Sequence, residues 1–275
     1  MNWGTLSRAE RDAAYNNSAA VANAPTLNAA RVADSARCRA EWKSALDVPY
    51  GPGERQKWDL FPADDPAAPC FAFIHGGYWQ YNTREQFTVL GAGLRARGWS
   101  VAMMGYTLAP DATMTQIVAE VHAALDWMAS EAASHGIAGP LLLSGWSAGG
   151  HLTAMGLSHK RVAAGLAISG LYELGPIRDT YLNEKLRLTD EEIATLSPLR
   201  LPMVGKVLAI TYGTRELPPL VSDSRDLHAA RSAAHLPGAL VPAPGGDHFT
   251  IVEELRQPDG LLVRAAVEAL EGARS

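Results

Sequence analysis

The sequence predicts an α/β fold, a mostly parallel central sheet with helices on both faces, and three observations carry the prediction. Beyond about Tyr50, short apolar runs alternate with longer amphipathic stretches, the pattern of strands joined by crossover helices. The apolar run from Leu141 breaks abruptly into Gly145-Trp146-Ser147-Ala148-Gly149, a strand feeding a tight turn and then a helix. With 275 residues, 47% of them hydrophobic and 19% charged, the chain can bury one large core.

Taken in order, residues 1–49 are Ala- and Asn-rich with weak helical periodicity, and they read as a helical arm that wraps the domain or caps its pocket. Residues 50–275 form the main domain. Gln56 to Phe61 reads as an edge strand, Cys70 to Ile74 as a buried one, and Ser100 to Met104 as another. Thr115 to Ala133 places Ile117, Val121, Ala124, Leu125 and Met128 on one face at helical spacing, so it packs on the sheet. Strands follow at Leu141 to Ser144 and Ala164 to Ser169. The stretch Tyr172 to Pro202 is too long for an ordinary connection and reads as an inserted helical lid at about residues 172–202. Val207 to Tyr212 and Ala239 to Val241 are the last strands. Ser222 to Ala234 and Leu261 to Glu271 are the last covering helices, the latter with Val263, Ala266, Val267 and Leu270 along one stripe.

Composition narrows the function classes. Net charge is -5 and the basic residues are scattered, so no nucleic-acid partner is expected. The N-terminus has no apolar signal region and no segment is apolar enough to span a bilayer, which gives the expectation of a soluble, cytoplasmic protein with no membrane partner. The two cysteines, Cys38 and Cys70, form no CxxC pair, so neither a disulfide framework nor a thiolate metal site is expected. The predicted partner is a small-molecule substrate, with no metal and no cofactor; a homodimer stays open.

The Gly-x-Ser-x-Gly turn makes Ser147 the candidate nucleophile, because glycines on both sides remove the Cβ atoms that would collide where the chain reverses. A serine hydroxyl needs a base to take its proton and a carboxylate to orient that base. His248 is the best-placed base. It follows the predicted strand Ala239 to Val241, whereas most of the other histidines precede Ser147 or fall on predicted helices. Glu216, after the strand Val207 to Tyr212, is the chosen acid, with Asp223 in reserve at the start of a helix; Asp247 beside the base reads as a cap. Charge developing on a carbonyl oxygen needs N–H donors, and the amides of Gly76, Gly77 and Ala148 are placed to form an oxyanion hole. Tyr78, Trp79 and Trp146 are candidate substrate contacts, as is Tyr81, with core or lid packing as the competing role.

These residues carry a resemblance. HGGYW at His75 to Trp79, YTLAP at Tyr106 to Pro110, GWSAGGH at Gly145 to His151, a carboxylate after the next-to-last strand and GGDHF ending at Phe249 resemble an α/β-hydrolase of the carboxylesterase and kynurenine formamidase type. The resemblance spans Trp58 to Phe249, and Tyr15 to Asn17 (YNN) is similar to the N-terminal arm of formamidase-like members. It implies the α/β-hydrolase fold, Ser147 as nucleophile, Glu216 as acid, His248 as base, and Gly76, Gly77 and Ala148 as oxyanion donors. Tyr78 and Trp79 point towards arylformamidases. Trp146 departs from the family, whose formamidases often carry His before the nucleophile.

The expected reaction is hydrolysis of a small aryl amide or formamide through an acyl-enzyme. A carboxylesterase acting on short acyl esters would use the same machinery. A non-catalytic ligand-binding module is the alternative of another class, since architecture alone does not fix activity.

Overall fold

The computed structural model describes residues 3–274; the first two residues of the predicted arm and the last residue of the predicted domain lie outside the described residues. The arm consists of α1 (Arg8–Ala14), α2 (Asn17–Ala20) and α3 (Ala24–Glu41). Ser7 opens α1 with a capping box, its hydroxyl facing the Glu10 N–H while the Glu10 carboxylate accepts from the Ser7 N–H.

Next comes β1 (Ala45–Pro49), which corrects the prediction that the arm is helical up to residue 49 and that Gln56 to Phe61 is the edge strand. The edge is β1 itself, and β2 (Lys57–Phe61) lies one strand inward. Its pairing with β2 is interrupted by a bulge between Ala45 and Val48, Asp47 has φ 57°, and the strand ends in proline. A bulged, half-exposed strand shows no regular alternation.

The sheet continues with β3 (Cys70–Ile74), then α4 (Ala92–Ala96), β4 (Ser100–Met104), α5 (Met114–Ser130), β5 (Leu141–Trp146), α6 (Ala148–Gly156) and β6 (Val162–Ile168). Between β6 and the next strand lie three short helices, α7 (Gly175–Arg178), α8 (Asn183–Leu186) and α9 (Asp190–Leu196). The chain closes with β7 (Leu208–Gly213), α10 (Pro218–Ala233), β8 (Leu240–Ala243) and α11 (Leu261–Gly272). Strand order is β1-β2-β4-β3-β5-β6-β7-β8. β2 is antiparallel to both β1 and β4, and the remaining pairs are parallel.

The two-residue period of the strands divides the core into two layers. Cys70, Ala72 and Ile74 of β3, with Leu141 and Leu143 of β5, pack on one side against Ile117, Val121, Leu125 and Met128 of α5. Phe71 and Phe73, with Leu142, face the other side and meet Leu94 of α4 and Leu262, Val263, Ala266 and Leu270 of α11. Helices cover both faces, as the alternating sequence predicts. Parallel strands then bring the chain ends after β3, β5, β7 and β8 to one edge, where a site can be assembled.

Candidate active site

At the end of β5 the chain turns at Ser147, which has φ 58° and ψ -118° and is followed at once by α6. A non-glycine residue in that region is strained by about 1–3 kcal/mol, and its neighbours hold it there. The Ser147 N–H donates to the Ile168 carbonyl at 2.8 Å. A Cβ on Gly145 would lie 2.2 Å from the Gly149 oxygen, and one on Gly149 would lie 2.0 Å from the Ile74 oxygen, so the turn closes only with glycine at both places.

His248 stands in the loop after β8, with Nδ1 3.0 Å from Glu216 Oε2, and both residues are buried. Glu216 is held from behind. Its Oε1 accepts the Gly213 N–H at 2.7 Å and the Ser169 hydroxyl, which sequence reasoning missed because a serine ending a strand carries no distinguishing signal. Asp223 serves elsewhere, since its Oδ2 accepts the N–H groups of Tyr172, at 2.6 Å, and Glu173, at 3.2 Å, where the inserted segment leaves the sheet. Burial pushes the Asp223 carboxyl up to about 7, although those two N–H groups act in the opposite direction. Asp247 accepts from the N–H groups of Phe249 and Thr250, both at 2.9 Å, and so caps the turn beyond the base.

The HGGYW segment is a tight coil with successive positive φ angles at Gly77 (116°), Tyr78 (50°) and Trp79 (58°). A Cβ on Gly77 would lie 2.5 Å from the Tyr81 oxygen as well as forcing an unfavourable φ. The YTLAP segment braces this coil. The Tyr106 ring stacks on His75 at 4.4 Å, its hydroxyl donates to the His75 carbonyl at 3.0 Å, and the Ala109 N–H donates to the Trp79 carbonyl at 2.8 Å. Burial in that stack brings the His75 imidazole down to about 4. Among the described residues, the N–H groups of Gly76, Gly77 and Ala148 meet no acceptor. The Ala148 group also sits in the first turn of α6, where helix N–H groups have no intrahelical partner and the dipole favours negative charge. A Cβ on Gly76 would lie 2.7 Å from the Trp146 carbonyl oxygen and 3.0 Å from the Ser147 Cβ, so the coil runs close against the elbow.

A cavity of about 410 Å³ joins these parts; Ser147, His248, Gly77, Tyr78, Tyr81 and Trp146 all border it. Trp146 leans on the His248 ring at 4.9 Å between centroids and carries the Arg31 guanidinium over its own ring at 5.3 Å. Trp79 is a correction to the substrate-contact expectation. It is wholly buried, meets His151 edge-on at 5.1 Å, and lies in the core and not in the cavity wall. Both residues have positive φ, yet only Tyr78 borders the cavity, a division that the dipeptide alone does not reveal.

The remaining wall comes from residues that sequence reasoning did not single out as contacts. Asn16, Asn17 and Asn28 enter from the arm, Asn82 follows the HGGYW coil, and Tyr181 comes from the inserted segment. The Tyr181 N–H donates to Asp12 Oδ1 at 2.7 Å and ties the insertion to the arm, while Gln80 Nε2, just after the HGGYW coil, donates to the Leu182 carbonyl at 2.9 Å and ties the insertion to that coil. Among the described residues no group of three or more His, Cys, Asp or Glu side chains could hold a metal ion. No helix among them is long and apolar enough to cross a membrane.

The chain is similar to known proteins over most of its length. Residues 60–169 match the family model BD-FAE. Kynurenine formamidase from Danio rerio is 30% identical over 250 residues, covering 85% of this chain and 84% of the fish protein. Kynurenine formamidase from Salmo salar is 32% identical over 240 residues, covering 81% of each. Among solved structures, a protein from Silicibacter sp. TM1040 described as a thioesterase superposes with a TM-score of 0.81 at 29% identity, covering 94% of this chain and 99% of that one. Esterase B from Lactobacillus rhamnosis gives a TM-score of 0.71 at 19% identity over 93% of this chain and 96% of its own, a likeness of fold.

Proposed function

This chain belongs to the kynurenine formamidase family of α/β-hydrolases, and from that premise we propose that it is a serine hydrolase cleaving a small aryl formamide or amide through an acyl-enzyme. The observation that carries the reading is His248, paired with Glu216 at 3.0 Å and bordering the same cavity as a serine held at positive φ.

In this mechanism Ser147 Oγ attacks the substrate carbonyl carbon while His248 Nε2 takes its proton. Glu216, fixed by Gly213 and Ser169, keeps the ring proton on Nδ1 and stabilises the imidazolium that forms. The oxygen of the tetrahedral intermediate receives the N–H groups of Gly76, Gly77 and Ala148. His248 returns the proton to the departing amine nitrogen, the C–N bond breaks, and the acyl group stays on Ser147. Water, deprotonated by the same ring, then releases the acid and restores the hydroxyl.

The cavity supports a small aromatic substrate. Its volume of about 410 Å³ suits a compact molecule, and Tyr78, Tyr81, Trp146, Tyr181 and Phe249 supply aromatic wall while four asparagines supply hydrogen-bonding groups. We propose Tyr78, Tyr81 and Trp146 as the aromatic contacts. The inserted segment and the arm form the roof. The test is a panel of N-aryl formamides, N-aryl amides and short aryl esters, each scored by kcat/KM against Ser147→Ala. Formamides are expected at the head of the series and no turnover in the variant; turnover surviving in Ser147→Ala would overturn the reading.

A further inference from the structure

We infer that Asn17 is a specificity-determining residue that accepts a hydrogen bond from the N–H of an amide substrate and so sets amide above ester. The inference rests on the proposed serine-hydrolase reading and deepens it. Asn17 opens α2, is only 4% exposed, and borders the cavity that also holds Ser147 and His248. Its side-chain amide is oriented by a short relay. The Tyr78 hydroxyl donates its single proton to the Tyr15 carbonyl, 2.6 Å away, so towards Asn17 it can offer only a lone pair. Asn17 must therefore present Nδ2 to Tyr78, at 2.8 Å, and this fixes Oδ1 as the other end of the amide.

That Oδ1 is buried and has no hydrogen-bond partner. A buried acceptor left empty is costly, and a ligand that supplies a donor recovers the cost on binding. The relay ends on Tyr78, the residue after the oxyanion candidate Gly77, so the empty acceptor is one side chain away from the coil that would hold the substrate carbonyl. An N-aryl formamide has an N–H beside its carbonyl; the matching aryl formate has an ether oxygen, a second acceptor, in its place. Asn17 Oδ1 thus favours the nitrogen and opposes the oxygen. The same relay gives the Tyr15 to Asn17 segment a physical role, with Tyr15 anchoring it through its carbonyl and Asn17 presenting its end.

The test compares an N-aryl formamide with the aryl formate of the same ring, as the ratio of their kcat/KM values after subtraction of spontaneous hydrolysis. Replacing Asn17 by alanine is expected to lower the amide-to-ester ratio by about ten- to a hundredfold, the range of one or two discriminating hydrogen bonds. A structural role alone would lower both rates together and leave the ratio unchanged, and that result would overturn the inference. Should Asn17→Ala fail to fold, Tyr78→Phe carries the same test, because it frees the amide to turn and is expected to lower the ratio at least about threefold. An unchanged ratio in that folded variant would equally overturn the assignment. A wild-type protein that cleaves neither substrate would remove the reading of the site itself, whereas one that cleaves both with a ratio indifferent to Asn17 would remove the inference alone.

Discussion

Replacing Glu216 by glutamine changes one oxygen to an NH₂ group and little else in volume, and the structure dictates which way the new amide turns. Two donors, the Gly213 N–H at 2.7 Å and the Ser169 hydroxyl, converge on Oε1, and His248 Nδ1 lies 3.0 Å from Oε2. Glutamine has one carbonyl oxygen. The Gly213 N–H is part of the backbone at the end of β7 and cannot turn away, so an NH₂ facing it would leave two buried donors opposed, at a cost of about 1–3 kcal/mol. The oxygen therefore stays with Gly213 and the NH₂ faces His248. Nδ1 must then accept, which moves the ring proton to Nε2, the atom required to take the proton of Ser147. A base in the wrong tautomer loses about 10⁴ in kcat, equivalent to about 5 kcal/mol of activation free energy. The assay is kcat on the best N-aryl formamide, alongside a thermal melt to verify that the variant is folded. A folded Glu216→Gln protein retaining more than about a tenth of wild-type kcat would refute the tautomer argument. Asp223→Asn is the control. Its side chain holds the Tyr172 and Glu173 N–H groups, which an asparagine oxygen can also accept, so kcat should change little.

Stability has a pH dependence with a definite sign. His75 and His151 are held by burial at about 4, below the ordinary 6.5, so each stays neutral when folded while its unfolded counterpart takes a proton. Acidification from 6.5 to 4 then costs about 1.4 kcal/mol per pH unit for each ring. Asp223, raised by burial from 3.8 to about 7, acts oppositely: the folded chain keeps a proton that the unfolded chain releases, so stability falls as pH rises through that window. The two histidines outweigh the one carboxyl between pH 4 and 6.5, and Asp223→Asn should make the loss on acidification steeper. Urea unfolding from pH 4.5 to 7 measures both slopes, and equal slopes would contradict the assignment. Gly77→Ala must move a Cβ away from the Tyr81 oxygen at 2.5 Å, displacing the coil that supplies an oxyanion donor. A fall in kcat of about a hundredfold or more is expected, and an unaltered kcat would place the donor elsewhere.

Much of the fold was legible because its signals are local. Continuous apolar runs such as Leu141 to Leu143 and the five helical-spacing residues of α5 belong to elements buried by that same pattern. The elbow was legible because backbone crowding around Gly145 and Gly149 excludes any side chain there. Glu216 was picked by its place after a strand and meets His248, while Asp223, with the same charge, is recognised as a clamp only from its backbone partners. β1 was not legible, since a bulge and an edge position erase the alternation that marks a strand. Nor was the division of labour between Tyr78 and Trp79, because two adjacent aromatic residues look alike in a sequence whichever of them reaches the cavity. The asparagine wall was hidden for another reason: Asn16, Asn17 and Asn28 reach the site only because the arm folds back over it.

The most direct measurement is covalent capture by a serine-directed aryl phosphonate, followed by proteolysis and mass analysis. One label on the peptide carrying Ser147 is expected, with its formation slowed in Glu216→Gln and lost in Ser147→Ala. A label on a different residue, or equal labelling of a protein in which His248 has been replaced, would contradict a nucleophile at Ser147 activated by the His248–Glu216 pair.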